Sequence, residues 1–344
     1  MRSHGQGATP HLHEESSDPA RLVADPLISV LMITYNHEDY LRQAIQSIVD
    51  QKCDLPFELI IGEDRSTDGS LHVALEYQAS YPHIVRVIHS HENVGMNANS
   101  RRVRAAARGQ LLAWCEGDDY WCHDGKLQEQ AEILLSDPSV GAVHTDWIKS
   151  RWVGHAWEVD WDRSMHRNVP GALLSGSLLP VFHFPKILRT CTLMLRRSIA
   201  EACDASEFGR KDYDFGDAVT SLFITSTSIV AYVPKVTAVY RESPGSVLRS
   251  GIGARIRFLK SSLDFDSDAR LAMLGNGRYP KVYRWELGVG LALWSLRARD
   301  WDSLKAAVRD IISHFSLSGF LRAAVQTVWM RRPAFPRRDN HGPG

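Results

Sequence analysis

The chain carries no surplus of charge of either sign: Lys and Arg number 40, and so do Asp and Glu. A balance of this kind gives no global field towards nucleic acid or an acidic partner, so any charge-based function has to be local. Cysteine is scarce and scattered. Cys53, Cys115, Cys122, Cys191 and Cys203 form no CxxC pair, and no secretory signal peptide precedes them. That pattern is expected of reduced thiols in a cytoplasmic protein and not of a disulfide framework. Cys115 and Cys122 are assigned to packing, because zinc calls for tighter pairs or added histidines at ligand spacing. No apolar run approaches the ~20 residues of a membrane span. No internal repeat is visible, and no GxGxxG follows the first apolar segment, which disfavours a dinucleotide oxidoreductase.

What is present is a regular alternation of apolar runs and helical patterns. Leu27–Ile33 is a near-continuous apolar run, the mark of a strand covered on both faces, and it ends in Thr34-Tyr35-Asn36-His37. Leu41, Ala44, Ile45, Ile48 and Val49 then recur at helical spacing. Phe57–Gly62 is a second strand, ending in Glu63-Asp64-Arg65-Ser66-Thr67-Asp68-Gly69-Ser70 ahead of another helical pattern. Ile84–Ile88 is a third, followed by His91–Gly95 and a helix through Val103 and Ala107. The fourth strand, Leu111–Trp114, delivers Glu116, Asp118 and Asp119 and then Tyr120 and Trp121. Successive βα units predict an α/β fold: an open, mostly parallel sheet flanked by helices with right-handed crossovers. Ligands of such sheets bind beyond the carboxyl ends of the strands. Here three strand ends carry polar turns, at Thr34–Asn36, Glu63–Asp68 and Glu116–Asp119. Three carboxylates within four residues are unfavourable unless a cation neutralises them, so the cluster is expected to hold a divalent metal that in turn holds a phosphate. Asp68 and Ser66 serve equally well as turn and N-cap residues.

Residues 1–25 lack apolar periodicity and are expected to be a disordered leader. Val140–Asp146 and Arg189–Arg197 read as further strands, and Ile229–Pro234 and Thr237–Arg241 as two short ones. The tryptophans at 147, 152, 157 and 161 suit either a sugar pocket or a covered sheet, with packing preferred. From about Gly253 the chain turns helical, so the expected layout is a leader (1–25), an α/β domain (26–250), a helical extension (251–335) and a disordered tail (336–344). Phe320–Arg332 joins an apolar face to flanking arginines, which fits either peripheral attachment to the inner face of the plasma membrane or docking on its own domain.

The order of the motifs resembles the inverting family 2 glycosyltransferases, in the bacterial branch carrying an E-G-D-D-Y-W motif. Four segments carry the likeness: Ser29–Asn36, Glu63–Ser70, Glu92–Gly95 and Glu116–Trp121, with Gly216-Asp217 and Tyr240-Arg241 downstream. It covers residues 27–250 and implies a GT-A-type, Rossmann-like fold. It further implies a nucleotide-sugar donor and a glycan or lipid-linked acceptor in cell-surface polysaccharide or glycolipid synthesis. Thr34, Tyr35, Asn36 and Asp64 would then meet the nucleotide. Glu116 and Asp118 would hold Mg²⁺ or Mn²⁺, Asp119 and Trp121 would face donor sugar or acceptor, and Arg241 would reach the diphosphate. Asp217 would be the catalytic base, with Asp212 and Asp214 as rivals. Arg65 stands where glycine is common, and Glu242-Ser243-Pro244 where relatives often have histidine. Two other readings compete: a sugar-nucleotide nucleotidyltransferase, which should show a Gly-rich phosphate loop after the first strand, and a catalytically silent binding module, which should have lost the carboxylates.

Overall fold

The central strand β2 (Ile28–Thr34) is buried along almost its whole length, as its unbroken apolar run requires. β3 (Phe57–Glu63) and β5 (Leu111–Trp114) flank it in parallel, and β4 (Val85–Ser90) pairs in parallel with β3. This is a computed structural model, and it describes residues 13–184, 186–207, 209–243, 251–273, 277 and 279–314. The crossovers are α1 (Glu38–Val49), α2 (Ser70–Ser80) and α3 (Met96–Ala105). α1 buries Leu41, Ala44, Ile45 and Ile48, the three-and-four spacing that puts one stripe of a helix against a sheet. Thr34 lies beside Glu63, and Leu31 beside Trp114, so the three polar strand ends emerge side by side.

After β5 come β6 (Tyr120–Trp121), α4 (Lys126–Ser136), β7 (Val140–Val153), β8 (Ala156–Val159), β9 (Met194–Arg196), α5 (Arg197–Ala205), α6 (Asp217–Thr227) and β10 (Ile229–Arg241). With β1 at His13–Ser16, the sheet order is β1-β4-β3-β2-β5-β9-β7-β10-β6, with β8 hairpinned onto β7. The fold is thus mixed α/β with a parallel core, as expected. β9 runs antiparallel between β5 and β7, so the residues just before it return to the edge where β5 ends.

The structure differs from the sequence expectations in four places. Residues 13–25 are not a featureless leader: β1 (His13–Ser16) pairs with β4, and both Glu15 carboxylate oxygens accept from Arg86. Four polar residues show no apolar periodicity, but they close an otherwise open sheet edge. The strand expected over Arg189–Arg197 shrinks to three residues, because Thr190–Thr192 tightens into a 3₁₀ turn. The two short strands expected over 229–241 are one, with Pro234 accommodated where the β7 register shifts between Val233 and Val236. Finally, 250/251 is not a packing boundary. α7 (Ile252–Ala272), α8 (Lys281–Ala298) and α9 (Trp301–Ser313) form the expected helical extension, yet Phe265, Ala269, Tyr283 and Leu287 share one core cluster with Phe215, Val219 and Leu222 of the α6 region. No helix among the described residues is long and apolar enough to cross a membrane. The segment 320–332, the tail from 336 and residues 1–12 lie outside the described residues.

Candidate functional site

Gly117 brings the ends of β2 and β5 together. Its backbone N–H donates to the Ile33 carbonyl at 3.0 Å, and a Cβ placed on it would meet Thr34 Oγ1 at 2.7 Å and His37 Nδ1 at 3.0 Å. Only glycine permits this approach, and it seats the acidic cluster directly against the first strand end. Thr34 Oγ1 and His37 Nδ1 are both buried without a hydrogen-bond partner, so the crowded junction carries unspent polar atoms. Tyr35 beside them is 44% exposed. Asn36 adopts positive φ, 55°; its N–H donates to Ser66 Oγ and its Oδ1 accepts from Thr67 N, which locks the first two polar turns together.

Asp64 is buried at the next strand end. Its two oxygens accept the backbone N–H groups of Val94 (2.9 Å) and Gly95 (2.8 Å), and its own N–H donates to the Thr34 carbonyl. Three of the sequence segments, 29–36, 63–70 and 92–95, are therefore one hydrogen-bonded rim. Asp68 takes the capping role weighed for it. Its carboxylate accepts from Ser70 N and Oγ, and from Glu38 N at the start of α1.

The cluster itself divides by burial. Glu116 Oε2 is buried without a partner, and its carboxyl is pushed up to about 7, first by burial and then by the Asp118 and Asp217 charges. Asp118 is partly exposed; its Oδ2 accepts from Ser243 Oγ at 2.9 Å. Asp119 is 3% exposed, accepts the Arg241 backbone N–H at 2.9 Å, and is held well above the carboxylate range by burial and by its two acidic neighbours. Asp119 therefore points into the fold, not towards a sugar. Trp121 departs from expectation in the same way. It is 4% exposed in the core, its indole N–H donates to the Cys191 carbonyl, and Lys126 Nζ sits 4.2 Å from its ring centroid.

Arg241 is buried under the cluster. It donates to the Asp118 carbonyl and to Gln43 Oε1, and it stacks near Tyr40, Tyr120 and Trp157. That geometry makes it a clamp on the Asp118–Asp119 turn. Of the tryptophans, Trp147 is core, whereas Trp152 and Trp161 are 53% and 61% exposed.

Asp217 opens α6 and is exposed; its Oδ1 accepts from Ala218 N. Its charge is among those that raise the Glu116 carboxyl, from a hundred residues downstream. Asn97 of α3 holds the loop before it by donating to the Tyr213 carbonyl. The rival Asp212 is paired with Arg101 at 3.0 Å, and the Asp214 backbone is tied to Ser261. Two residues were missed as site members. Arg189 read as a strand end, and His37 as the tail of a turn; neither carries a local signal, because both acquire their neighbours only through the sheet.

Among the described residues no group of three or more His, Cys, Asp or Glu side chains converges as a ready-made metal cage. The donors nevertheless fit a hard cation of the kind that takes one or two carboxylates and completes its shell with phosphate and water. Glu116 Oε2 is an orphaned buried oxygen beside the more open Asp118.

Comparison with known proteins speaks to this arrangement. Residues 29–198 match glycosyl transferase family 2. An uncharacterised Mycobacterium tuberculosis protein is 42% identical over 111 residues, 32% of each chain. A Bacillus subtilis protein, provisionally named teichuronic acid biosynthesis glycosyltransferase TuaG, is 32% identical over 110 residues, 32% of this chain and 42% of that one. The matches thus span about a third of the length of these relatives. Among solved structures, a mannosyltransferase from Pyrobaculum calidifontis, in complex with GDP-Man and Mn²⁺, superposes with a TM-score of 0.52 at 17% identity, over 93% of this chain and 84% of that one. S. aureus TarS 1–349, in complex with UDP-GlcNAc, gives 0.51 at 14% identity over 84% and 93%. The fold is that of the GT-A glycosyltransferases.

Proposed function

We propose that this chain is a metal-dependent inverting glycosyltransferase. It moves a sugar from a nucleotide-diphosphate donor to an acceptor hydroxyl, in cell-surface polysaccharide or glycolipid synthesis on the cytoplasmic side of the membrane. The observation that carries the reading is the carboxylate cluster Glu116–Asp119 seated by Gly117 against the first strand end, with Glu116 Oε2 buried and unpartnered beside the more open Asp118. The match of residues 29–198 to glycosyl transferase family 2 and the fold similarity to a structure bound to UDP-GlcNAc and another bound to GDP-Man support it.

The donor's base and ribose would lie over the rim built by Thr34, Tyr35, Asn36 and the Asp64-tethered loop. Asp118, with Glu116 beside it, would hold Mg²⁺ or Mn²⁺, which when bound offsets the charge gathering on the departing diphosphate. Asp119 and Arg241 position Asp118 from beneath. Inversion needs the acceptor hydroxyl to attack the anomeric carbon on the face opposite the leaving group and to lose its proton. Asp217 is exposed and makes no ion pair among the described residues, and it would take the proton; such help is worth ~10²–10⁴-fold. A nucleotidyltransferase is disfavoured because Thr34–His37 is not a glycine-rich phosphate loop, and a silent module because the carboxylates are all present.

The test is stereochemical. Purified protein would be incubated with Mn²⁺, an acceptor and each of UDP-, GDP- and dTDP-sugars. The anomeric configuration of the product would then be read by proton NMR. Inversion is expected; a retained configuration would rule out the one-step displacement.

A further inference from the structure

Arg189 is a cation near the acidic edge that the sequence motifs do not include. The chain delivers it just before the 3₁₀ turn Thr190–Thr192, at the end of β9 that returns beside β5. Its guanidinium carbon lies 3.7 Å from the Tyr240 ring centroid and 5.0 Å from that of Trp147, so aromatic faces hold the planar fork in place. Nε is buried without a partner. Among the described residues the guanidinium makes no hydrogen bond, and no carboxylate oxygen stands at ion-pair distance. Yet the charges of Asp119, Asp217 and Glu116 all act on it. Arg241 shares the orphaned Nε, but its two terminal nitrogens are committed to the Asp118 carbonyl and Gln43 Oε1. A largely enclosed guanidinium with unspent donors bears a desolvation penalty that an anionic acceptor would relieve.

We infer that Arg189 is an anion-recognition residue that takes a phosphoryl oxygen of the ligand bound at this edge. The inference rests on the transferase reading and extends it to a residue outside the motifs. A bare carboxylate ligand is disfavoured, since it would meet Glu116, Asp118, Asp119 and Asp217 with no cation of its own. A phosphate that chelates a divalent ion brings its neutralising charge with it. The phosphoryl group belongs to the donor diphosphate or to a phosphate on the acceptor, and the two sources separate by experiment.

Isothermal titration of the full chain, in Mn²⁺, would compare wild type with Arg189→Ala and Arg189→Lys. The donor arm uses UDP and GDP, the acceptor arm glycerol 3-phosphate, and uridine and guanosine serve as phosphate-free controls. Arg189→Ala is expected to weaken the phosphate probes that wild type binds by about 10–100-fold while leaving nucleoside affinity unchanged. Arg189→Lys should recover part of the loss. A loss confined to UDP and GDP assigns the donor, and a loss confined to glycerol 3-phosphate assigns the acceptor. Equal affinity of wild type and Arg189→Ala for every phosphate probe overturns the inference alone. An equal loss on the nucleosides also overturns it, because it marks a structural role. Wild type that binds no probe overturns it together with the transferase reading. Circular dichroism checks each fold; if the alanine variant is unfolded, full wild-type affinity in Arg189→Lys overturns the contact.

Discussion

Glu116 is one of two carboxyls in the cluster, with Asp119, that burial pushes up. Its carboxyl is held at about 7 in the folded chain, against 4.5 for the exposed group, chiefly by burial. Between those values the native state binds more protons than the unfolded one, so this group lowers stability as pH rises to about 7 and contributes no further slope above it. Glu116→Gln should therefore flatten the fall of melting temperature from pH 5 to about 8 in chelator-treated protein. An unchanged slope would place the titration elsewhere. A cation that binds the ionised carboxylate reverses the sign: Mn²⁺ should raise the melting temperature more at about pH 8 than at about pH 5.5, and Asp118→Ala should abolish most of that gain. The rival bases separate as cleanly. Asp212 sits in an ion pair with Arg101, so Asp212→Asn should leave turnover within a few-fold, whereas Asp217→Asn should remove the ~10²–10⁴-fold of a general base with donor affinity kept.

Between elements, the rim depends on carboxylates that hold backbone. Asp64 satisfies the Val94 and Gly95 amides; removing it strands the Val94 amide and leaves Gly95 with Asn93 Oδ1 alone, at a part-buried junction. Asp64→Ala should cost ~1–3 kcal/mol in urea unfolding and weaken nucleotide binding in the same variant. On the far side of the sheet Glu58 is fully buried and accepts from Ser29, Arg86 and Arg108. Glu58→Ala removes the carboxylate partner of Arg108 and one of the two that Arg86 has, and should cost ~3–5 kcal/mol, read from the denaturation midpoint, without a direct effect on the site. The parallel strands and their polar ends were legible in the sequence because each is a self-contained apolar run. β1 and the shortened β9 were not: four polar edge residues and a 3₁₀ turn owe their form to the strands beside them. The same reason hid the inward turn of Asp119 and Trp121. Acidity and aromaticity mark a strand end in sequence, but only the neighbouring Arg241 amide and Cys191 carbonyl decide which way each side chain faces.

Across the whole molecule, α7 and α8 form the wall behind α6, the helix that presents Asp217. Phe215, Val219 and Leu222 pack on Phe265, Ala269, Tyr283 and Leu287. A change in composition near Gly253 looked like a domain boundary, and packing crosses it. Truncation after residue 250 should therefore expose this cluster. It should appear as dye-binding apolar surface and a broadened melt, and a sharp wild-type transition in the truncated chain would show the helices to be dispensable. The claim that joins all three scales is that Asp217 and the Glu116–Asp119 cluster form one transfer site. Acceptor-dependent release of nucleoside diphosphate from nucleotide sugars in Mn²⁺, measured for wild type, Asp118→Ala and Asp217→Asn, tests it most directly. The expected result is release by wild type with at least one donor, lost in both variants, with donor binding surviving in Asp217→Asn. Full transfer by Asp217→Asn, or no release by wild type with any donor, would contradict it.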